Sequence, residues 1–166
     1  MRKIFATSTG DKIEISEIAL ARMLSSKQLY ATDKESGGIL MGRIIANSKD
    51  FVVDDITLPQ DHDLRSRFGF KLSRNKHQNI VNKTWEKTNR TTIYLGTWHT
   101  HPEPEPHPSS VDIDDWKKRL RNDVYEGAYL FFIIVGQENI LGWYGSRNKN
   151  RICNLKLIEL EDENGK

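Results

Sequence analysis

Two histidines and an aspartate stand at a spacing that suits a metal ion. His99 and His101 are two residues apart, and Asp112 follows eleven residues after His101. Residues two apart on a strand project to the same face, so both imidazoles can face one cation. Two neutral nitrogens and one carboxylate oxygen make three ligands, which leaves tetrahedral zinc a fourth position for water. This donor set predicts a catalytic Zn²⁺ site rather than a structural one.

A catalytic site of this kind also requires a proton carrier and a group that stabilises negative charge. Glu35 precedes Ser-Gly-Gly and an apolar segment predicted as a strand, so it is our candidate general acid–base. Ser109 can begin the helix that carries Asp112, and its hydroxyl can donate to a developing oxyanion. Each has an ordinary alternative, namely a solvated glutamate near a turn and a serine N-cap. Asp114 is the alternative to Asp112 as a ligand.

Strands and helices are predicted to interleave around these residues. The apolar segment 92–98 reads as a strand that leads into the histidines and would hold them rigidly. Further strands are predicted over residues 38–45, 51–58, 129–135, 140–144 and 152–160, after an N-terminal hairpin over 4–15. Helices are predicted from Ser16 to about Tyr30, over 73–88, and from Ser109 or Ser110 to Asn122. The predicted fold belongs to the α/β class. Because there is no strict βαβ repeat, we expect its α+β form, a mixed, curved sheet flanked by helices.

Length and composition predict one domain over residues 1–160, followed by a flexible tail over 161–166. The net charge of +2 comes from 25 basic and 23 acidic residues spread along the chain, so we expect no nucleic acid partner. No apolar run approaches the roughly 18 residues that cross a bilayer, so we expect no membrane insertion. The N-terminus lacks the features of a signal peptide and Cys153 is the single cysteine, which together predict a cytoplasmic protein.

These residues together resemble the JAMM signature of the JAB/MPN metallopeptidases. The signature is a glutamate, then H-x-H, seven residues, a serine, two residues and an aspartate. The positions are filled by Glu35, His99, His101, Ser109 and Asp112. The resemblance implies the cytidine-deaminase-like JAB/MPN fold and a zinc ion on the two histidines and the aspartate. It also implies that the glutamate is the acid–base and that the serine assists the oxyanion.

A narrower resemblance covers residues 94–102, 108–112 and Trp116. These segments resemble the small bacterial JAB isopeptidases encoded with CD-NTase (CBASS) antiphage systems. That resemblance implies a protein substrate, the amide that joins the C-terminal tail of a CD-NTase to a target protein or to the E1/E2-like conjugating enzyme. Such a tail can bind as an added strand along a sheet edge. Residues beside Glu35 and the stretch 65–70 are candidates for holding it.

Three other functions fit part of the pattern. A JAMM peptidase can act on another ubiquitin-like or sulfur-carrier protein, whereas cleavage of ubiquitin itself is not expected without a cysteine-rich insertion. RadC-like proteins share the spacing but typically have Pro-Ser-Gly after the histidine pair, where this chain has Pro102, Glu103 and Pro104. A metal-free MPN scaffold normally has one or more ligands replaced, and here none is. The sequence predicts no particular oligomeric state.

Overall fold

The computed structural model describes residues 1–158. These residues form a nine-stranded sheet, a separate two-stranded hairpin and three helices. The predicted mixed, curved sheet flanked by helices is therefore confirmed. The predicted tail over residues 161–166 lies outside the described part of the chain. Within the described part, none of the helices has the length and apolar character needed to cross a membrane.

Eleven strands and three helices make up the described chain. The strands are β1 (Lys3–Ala6), β2 (Lys12–Ile15), β3 (Gly37–Ile44), β4 (Phe51–Ile56), β5 (Leu64–Ser66), β6 (Gly69–Lys71), β7 (Ile93–Thr100), β8 (Leu130–Val135), β9 (Ile140–Ser146), β10 (Lys149–Asn154) and β11 (Lys156–Ile158). The helices are α1 (Glu17–Leu24), α2 (Arg74–Lys87) and α3 (Ser110–Asn122). The order in the large sheet is β10-β9-β8-β7-β3-β4-β2-β1-β11. Neighbours are antiparallel except in the pairs β2–β4 and β7–β8.

The first helix is shorter than its sequence pattern predicts. Ser16 caps α1 as expected, because its hydroxyl accepts from the Ala19 backbone N–H. The prediction that the helix continues to about Tyr30 is wrong, since α1 ends at Leu24. The hydroxyls of Ser25 and Ser26 both donate to the Arg22 carbonyl. Side chains of this type compete with the backbone for hydrogen bonds and favour helix ends.

The parallel strands β7 and β8 are joined by α3, a crossover that places the helix against one face of the sheet. Because β8 is covered on both faces, all six of its residues are buried and apolar. Leu130, Phe132 and Ile134 pack with Trp116 and Leu120 of α3. The alternating residues of β8 pack on the opposite face, in the same apolar cluster as the buried side of α1. Trp98 and Trp116 are both fully buried.

The segment from β10 to β11 connects the two ends of the large sheet. The prediction of one strand over 152–160 is wrong in the described residues, because the segment divides into β10 and β11 at Leu155. The Leu155 backbone N–H donates to the Gly142 carbonyl, and its side chain belongs to the main apolar cluster. β10 pairs with β9, whereas β11 pairs with β1 at the other end. The sheet therefore curls until its ends meet at this residue.

The hairpin of β5 and β6 stands apart from the large sheet and precedes α2. Its strands are short and mainly exposed, and they carry no alternation of buried and exposed residues. The segments before β5 and after β6 are joined by Asp63. Its carboxylate accepts from the backbone N–H groups of Gln60 and Ser73. Polar contacts at Asp63 therefore help to fix the position of the hairpin.

Candidate metal centre

The two imidazoles meet at the end of β7. The strand runs two residues beyond its predicted end, so His99 lies in it and His101 follows directly after it. The two Nε2 atoms are 3.0 Å apart, and the side chains are only 9% and 11% exposed. Trp116 lies beside the His99 ring, with the ring centroids 6.4 Å apart. The predicted convergence of the two rings on one point is therefore present.

The first turn of α3 aims the Asp112 carboxylate at both histidines. Ser109 is the N-cap, and its hydroxyl accepts from the Asp112 backbone N–H at 3.1 Å. In return the Asp112 carboxylate accepts from the Ser109 backbone N–H at 2.8 Å, which completes a capping box. Asp112 Oδ1 is 3.3 Å from His99 Nε2, and Oδ2 is 3.1 Å from His101 Nε2. Burial alone would raise the pKa of Asp112, but its hydrogen bonds with the imidazoles hold the pKa well below its usual range.

Pairing between β3 and β7 places Glu35 beside the same two rings. Gly37 lies opposite His99, and the same register continued outward puts Glu35 opposite His101. Residues directly opposite on paired strands lie on the same face of the sheet. Glu35 Oε1 is 3.9 Å from His101 Nε2. One ligand atom from each of Glu35, His99 and His101 lies within 4.8 Å of the others. Burial raises the pKa of Glu35 to about 8, against the opposing effect of His101.

Glu103 is a contributor that the sequence analysis missed. Its carboxylate accepts from His101 Nδ1 at 3.0 Å and from the His107 backbone N–H at 2.7 Å. Burial would lower the pKa of His101, but hydrogen bonds to Asp112 and Glu103 raise it to about 9. A carboxylate on the second nitrogen of a ligand histidine fixes the orientation of the ring. An acidic residue two positions after a predicted ligand was the available signal.

The other predicted candidates lie at less suitable positions. Asp114 is exposed, and in the described residues it makes neither of the histidine contacts that Asp112 makes. Ser109 is exposed at the helix start, and its hydroxyl hydrogen is not used by the capping bond. Four of the five predicted residues therefore cluster in the structure, and the fifth caps the helix that carries one of them.

The hairpin holds the backbone around Glu35. The Arg65 Nε donates to the Glu35 carbonyl at 2.7 Å, and its Nη2 donates to the Ser36 hydroxyl at 2.9 Å. The Glu35 backbone N–H donates to the Ser66 carbonyl at 2.8 Å. A Cβ atom at Gly37 would lie 2.8 Å from the Phe70 ring, so glycine lets the hairpin approach β3 here. Arg65, predicted as a residue that holds the substrate, thus positions the Glu35 backbone.

A groove opens beside the candidate metal centre. It has a volume of about 440 Å³ and lies between the hairpin and α3. Phe70 and Leu72 line one side, and Val111 and Trp116 line the other. His99 and Asp112 contribute to its wall as well. An extended peptide lying in this groove would therefore pass beside His99 and Asp112.

Comparison with known proteins places this architecture in a family. The family described as prokaryotic homologs of the JAB domain matches residues 17–148. A CD-NTase/cGAS isopeptidase from Vibrio cholerae serotype O1 (strain ATCC 39315 / El Tor Inaba N16961) is 32% identical over 156 residues, which cover 94% of this chain and 95% of the relative. A CD-NTase/cGAS isopeptidase from Escherichia coli (strain TW11681) is 33% identical over 153 residues, covering 92% of this chain and 93% of the relative.

A solved structure supports the fold independently. The solution structure of a protein from Desulfitobacterium hafniense superimposes with a TM-score of 0.57 at 20% identity. The match covers 87% of this chain and 88% of that protein. Taken with the family match over residues 17–148, the curled mixed sheet and its helices show that this chain is a member of the prokaryotic JAB family.

Proposed function

We propose that this protein is a zinc-dependent isopeptidase, with the ion held by His99, His101 and Asp112. The observation that carries the proposal is the convergence of these three side chains. Ligand atoms about 2.05 Å from a tetrahedral zinc ion are about 3.3 Å from one another. The two Nε2 atoms are 3.0 Å apart, Asp112 Oδ1 is 3.3 Å from His99 Nε2, and Asp112 Oδ2 is 3.1 Å from His101 Nε2. The donor set therefore fits zinc in both chemistry and spacing.

Glu35 is better suited to proton transfer than to binding the ion. Its nearest approach to the ligand nitrogens is 3.9 Å, to His101, whereas Asp112 approaches both histidines more closely. A bound zinc ion supplies Lewis acidity at the scissile carbonyl. Glu35 takes a proton from the attacking water and delivers it to the amine nitrogen as the C–N bond breaks. Ser109 donates its hydroxyl hydrogen to the oxyanion that develops at the carbonyl oxygen.

The proposed substrate is the amide formed between the C-terminal tail of a CD-NTase and an amine of another protein. The two relatives named CD-NTase/cGAS isopeptidase, each matched over more than nine-tenths of its length, support this assignment. The groove of about 440 Å³ beside His99 and Asp112 provides room for an extended tail. Cleavage would release the CD-NTase from its target, and such a substrate agrees with the predicted cytoplasmic location.

The test uses purified protein and a CD-NTase tail joined through its C-terminal carboxylate to a lysine ε-amine of a reporter protein. We expect release of the reporter, loss of release with a zinc chelator, and recovery when Zn²⁺ is returned. Glu35→Gln should abolish release while zinc binding persists. Glu105→Gln is the matched control, because Glu105 is an exposed glutamate of the neighbouring loop.

Other outcomes would favour the other functions. Cleavage of a ubiquitin-like or sulfur-carrier conjugate, with the CD-NTase conjugate left intact, would replace the proposed substrate and keep the chemistry. A protein that binds zinc tightly but cuts none of these amides would contradict the isopeptidase proposal. Failure to bind zinc, measured by metal analysis after dialysis, would favour a scaffold.

A further inference from the structure

We propose that the Thr100 hydroxyl, anchored by Gln28, is a positioning group that sets the distance between the Glu35 carboxylate and the two imidazoles. The inference rests on the proposed function, because it concerns the placement of the proposed acid–base. Thr100 lies between the two histidines on β7, and its side chain is fully buried on the opposite face. It therefore acts from beneath the site and touches neither substrate nor metal.

The first part of the argument is the way in which Ser36 is bound. Regular pairing between β3 and β7 ends at Gly37 and His99. One residue further out, the Thr100 backbone N–H donates to the Ser36 carbonyl at 2.8 Å. The Ser36 backbone N–H donates instead to the Thr100 hydroxyl at 2.9 Å. The Thr100 side chain thus takes the place of a backbone carbonyl in the β3–β7 hydrogen bonding, at the residue next to Glu35.

The second part is the buried amide that fixes this hydroxyl. Thr100 Oγ1 donates its single hydrogen to Gln28 Oε1 at 2.8 Å. Gln28 Nε2 donates to the carbonyls of Arg67 and Asp33, at 2.9 and 3.3 Å. Only 1% of Gln28 is exposed. Because each hydrogen and acceptor has one partner, the hydroxyl cannot turn away from Ser36 without leaving a buried group unpaired.

The third part is that both sides of the Glu35 segment are held by polar groups. On one side Arg65 and Ser66 of the hairpin bind the Glu35 backbone. On the other side the Thr100 hydroxyl accepts from the Ser36 backbone N–H. Gln28, which accepts from that hydroxyl, also donates to the Arg67 carbonyl of the hairpin. Loss of the Thr100 hydroxyl would leave this side of the segment held only by the backbone bond from the Thr100 N–H to the Ser36 carbonyl. Glu35 would then move relative to the ligands, which are held separately by β7 and by the capping box of α3.

The chain provides a matched control for a purely structural effect. Thr57 is also buried, with 2% exposure. Its hydroxyl accepts from the Ile39 backbone N–H at 2.7 Å and bonds to His77 Nδ1 at 2.6 Å. It therefore makes the same kind of contacts as Thr100 but beside Ile39, away from Glu35. Thr57→Val and Thr100→Val each remove one buried hydroxyl and differ mainly in where they remove it.

The experiment compares both valine variants with Thr100→Ser in the conjugate-release assay. We expect both valine variants to lower the melting temperature by similar amounts, about 3–6 °C. Only Thr100→Val should lower kcat, by about 10- to 100-fold, with KM unchanged. Zn²⁺ affinity, measured by competition with a chromophoric chelator, should stay within about twofold of the parent, because the ligands are held independently. Thr100→Ser should restore kcat, since serine keeps the hydroxyl.

A crystal structure of each variant gives a readout that is independent of activity. The separation of 3.9 Å between Glu35 Oε1 and His101 Nε2 should increase in Thr100→Val and be retained in Thr57→Val. If Thr100→Val does not fold, Gln28→Leu removes the anchor of the same hydroxyl without altering β7, and it should change kcat and the Glu35 position in the same direction.

Equal losses of kcat in the two valine variants, or an unmoved Glu35 in Thr100→Val, would overturn the inference. A parallel loss of Zn²⁺ affinity would also overturn it, because the hydroxyl would then act through the ligands. An inactive parent protein would instead contradict the proposed function, and the displacement of Glu35 in the crystal would still decide the positioning role.

Discussion

Replacing His77 by leucine should destabilise the protein by about 4 kcal/mol, although this residue lies outside the candidate metal centre. His77 is fully buried on α2. Its Nε2 is 2.9 and 3.1 Å from the two carboxylate oxygens of Asp63, and its Nδ1 is 2.6 Å from Thr57 Oγ1. Since Thr57 accepts from Ile39, its own hydrogen points to Nδ1, and the His77 Nε2–H group donates to Asp63.

The magnitude follows from the two contacts that leucine cannot make. Loss of the hydrogen bond to the buried carboxylate costs about 2 kcal/mol, and a Thr57 hydroxyl without an acceptor costs about 2 kcal/mol more. Leucine has nearly the volume of histidine, so little is added for a cavity. Asp63 keeps its hydrogen bonds from the Gln60 and Ser73 backbone N–H groups, so the segments that flank the hairpin stay joined. The protein should therefore fold, with a melting temperature lower by about 12 °C.

Guanidinium unfolding of His77→Leu, Thr57→Val and the double variant provides the assay. The double variant should be more stable than the sum of the single losses predicts, by about 1–2 kcal/mol, because it no longer contains the hydroxyl that leucine leaves unpaired. A loss below about 1 kcal/mol for His77→Leu, or strict additivity in the cycle, would refute this reading of the hydrogen bonds.

Three further outcomes are expected. Asp112→Asn should weaken Zn²⁺ binding at least about tenfold while Asp114→Asn does not, measured by chelator competition; equal effects would contradict the proposed ligand set. Trp116→Ala should cost about 4 kcal/mol in denaturant unfolding, because the ring stacks on Phe132 at 4.8 Å within a fully buried cluster; a loss below about 2 kcal/mol would argue against that packing. Gly96→Ala should yield no soluble folded protein, since φ is +141° and a Cβ would lie 1.8 Å from a backbone oxygen of β8. A native circular dichroism spectrum of this variant would contradict the prediction.

The local part of the candidate centre could be predicted from the sequence. The two-residue spacing of His99 and His101 fixes a common face once the segment is extended, and Ser109 predicts the start of the helix that carries Asp112. Glu35 is different, because it reaches the histidines only through the pairing of β3 with β7. Spacing along the chain does not specify that register, so its place depended on the resemblance to the JAMM signature.

Other features could not be predicted because their cause is distant in sequence. Residue Gln28 lies in a segment with helical spacing, yet its amide is bound to Thr100, 72 positions away. The hairpin has no apolar alternation, and its place is set by Arg65 and Asp63. The break at Leu155 arises because the strand passes from β9 to β1, at opposite ends of the sheet. Each of these outcomes depends on tertiary partners, which override local propensity.

The strand that closes the sheet imposes an order on the folding of this domain during synthesis. β1 lies between β2 and β11, and Ile4 pairs with Ile158, so one edge of β1 can be paired only after nearly the last described residues are made. Until residues 156–158 leave the ribosome, the outer edge of β1 has no neighbour. Contacts of such long sequence separation slow folding and leave intermediates that aggregate. Chains that terminate before Lys156 would expose that edge permanently and become substrates for cellular quality control.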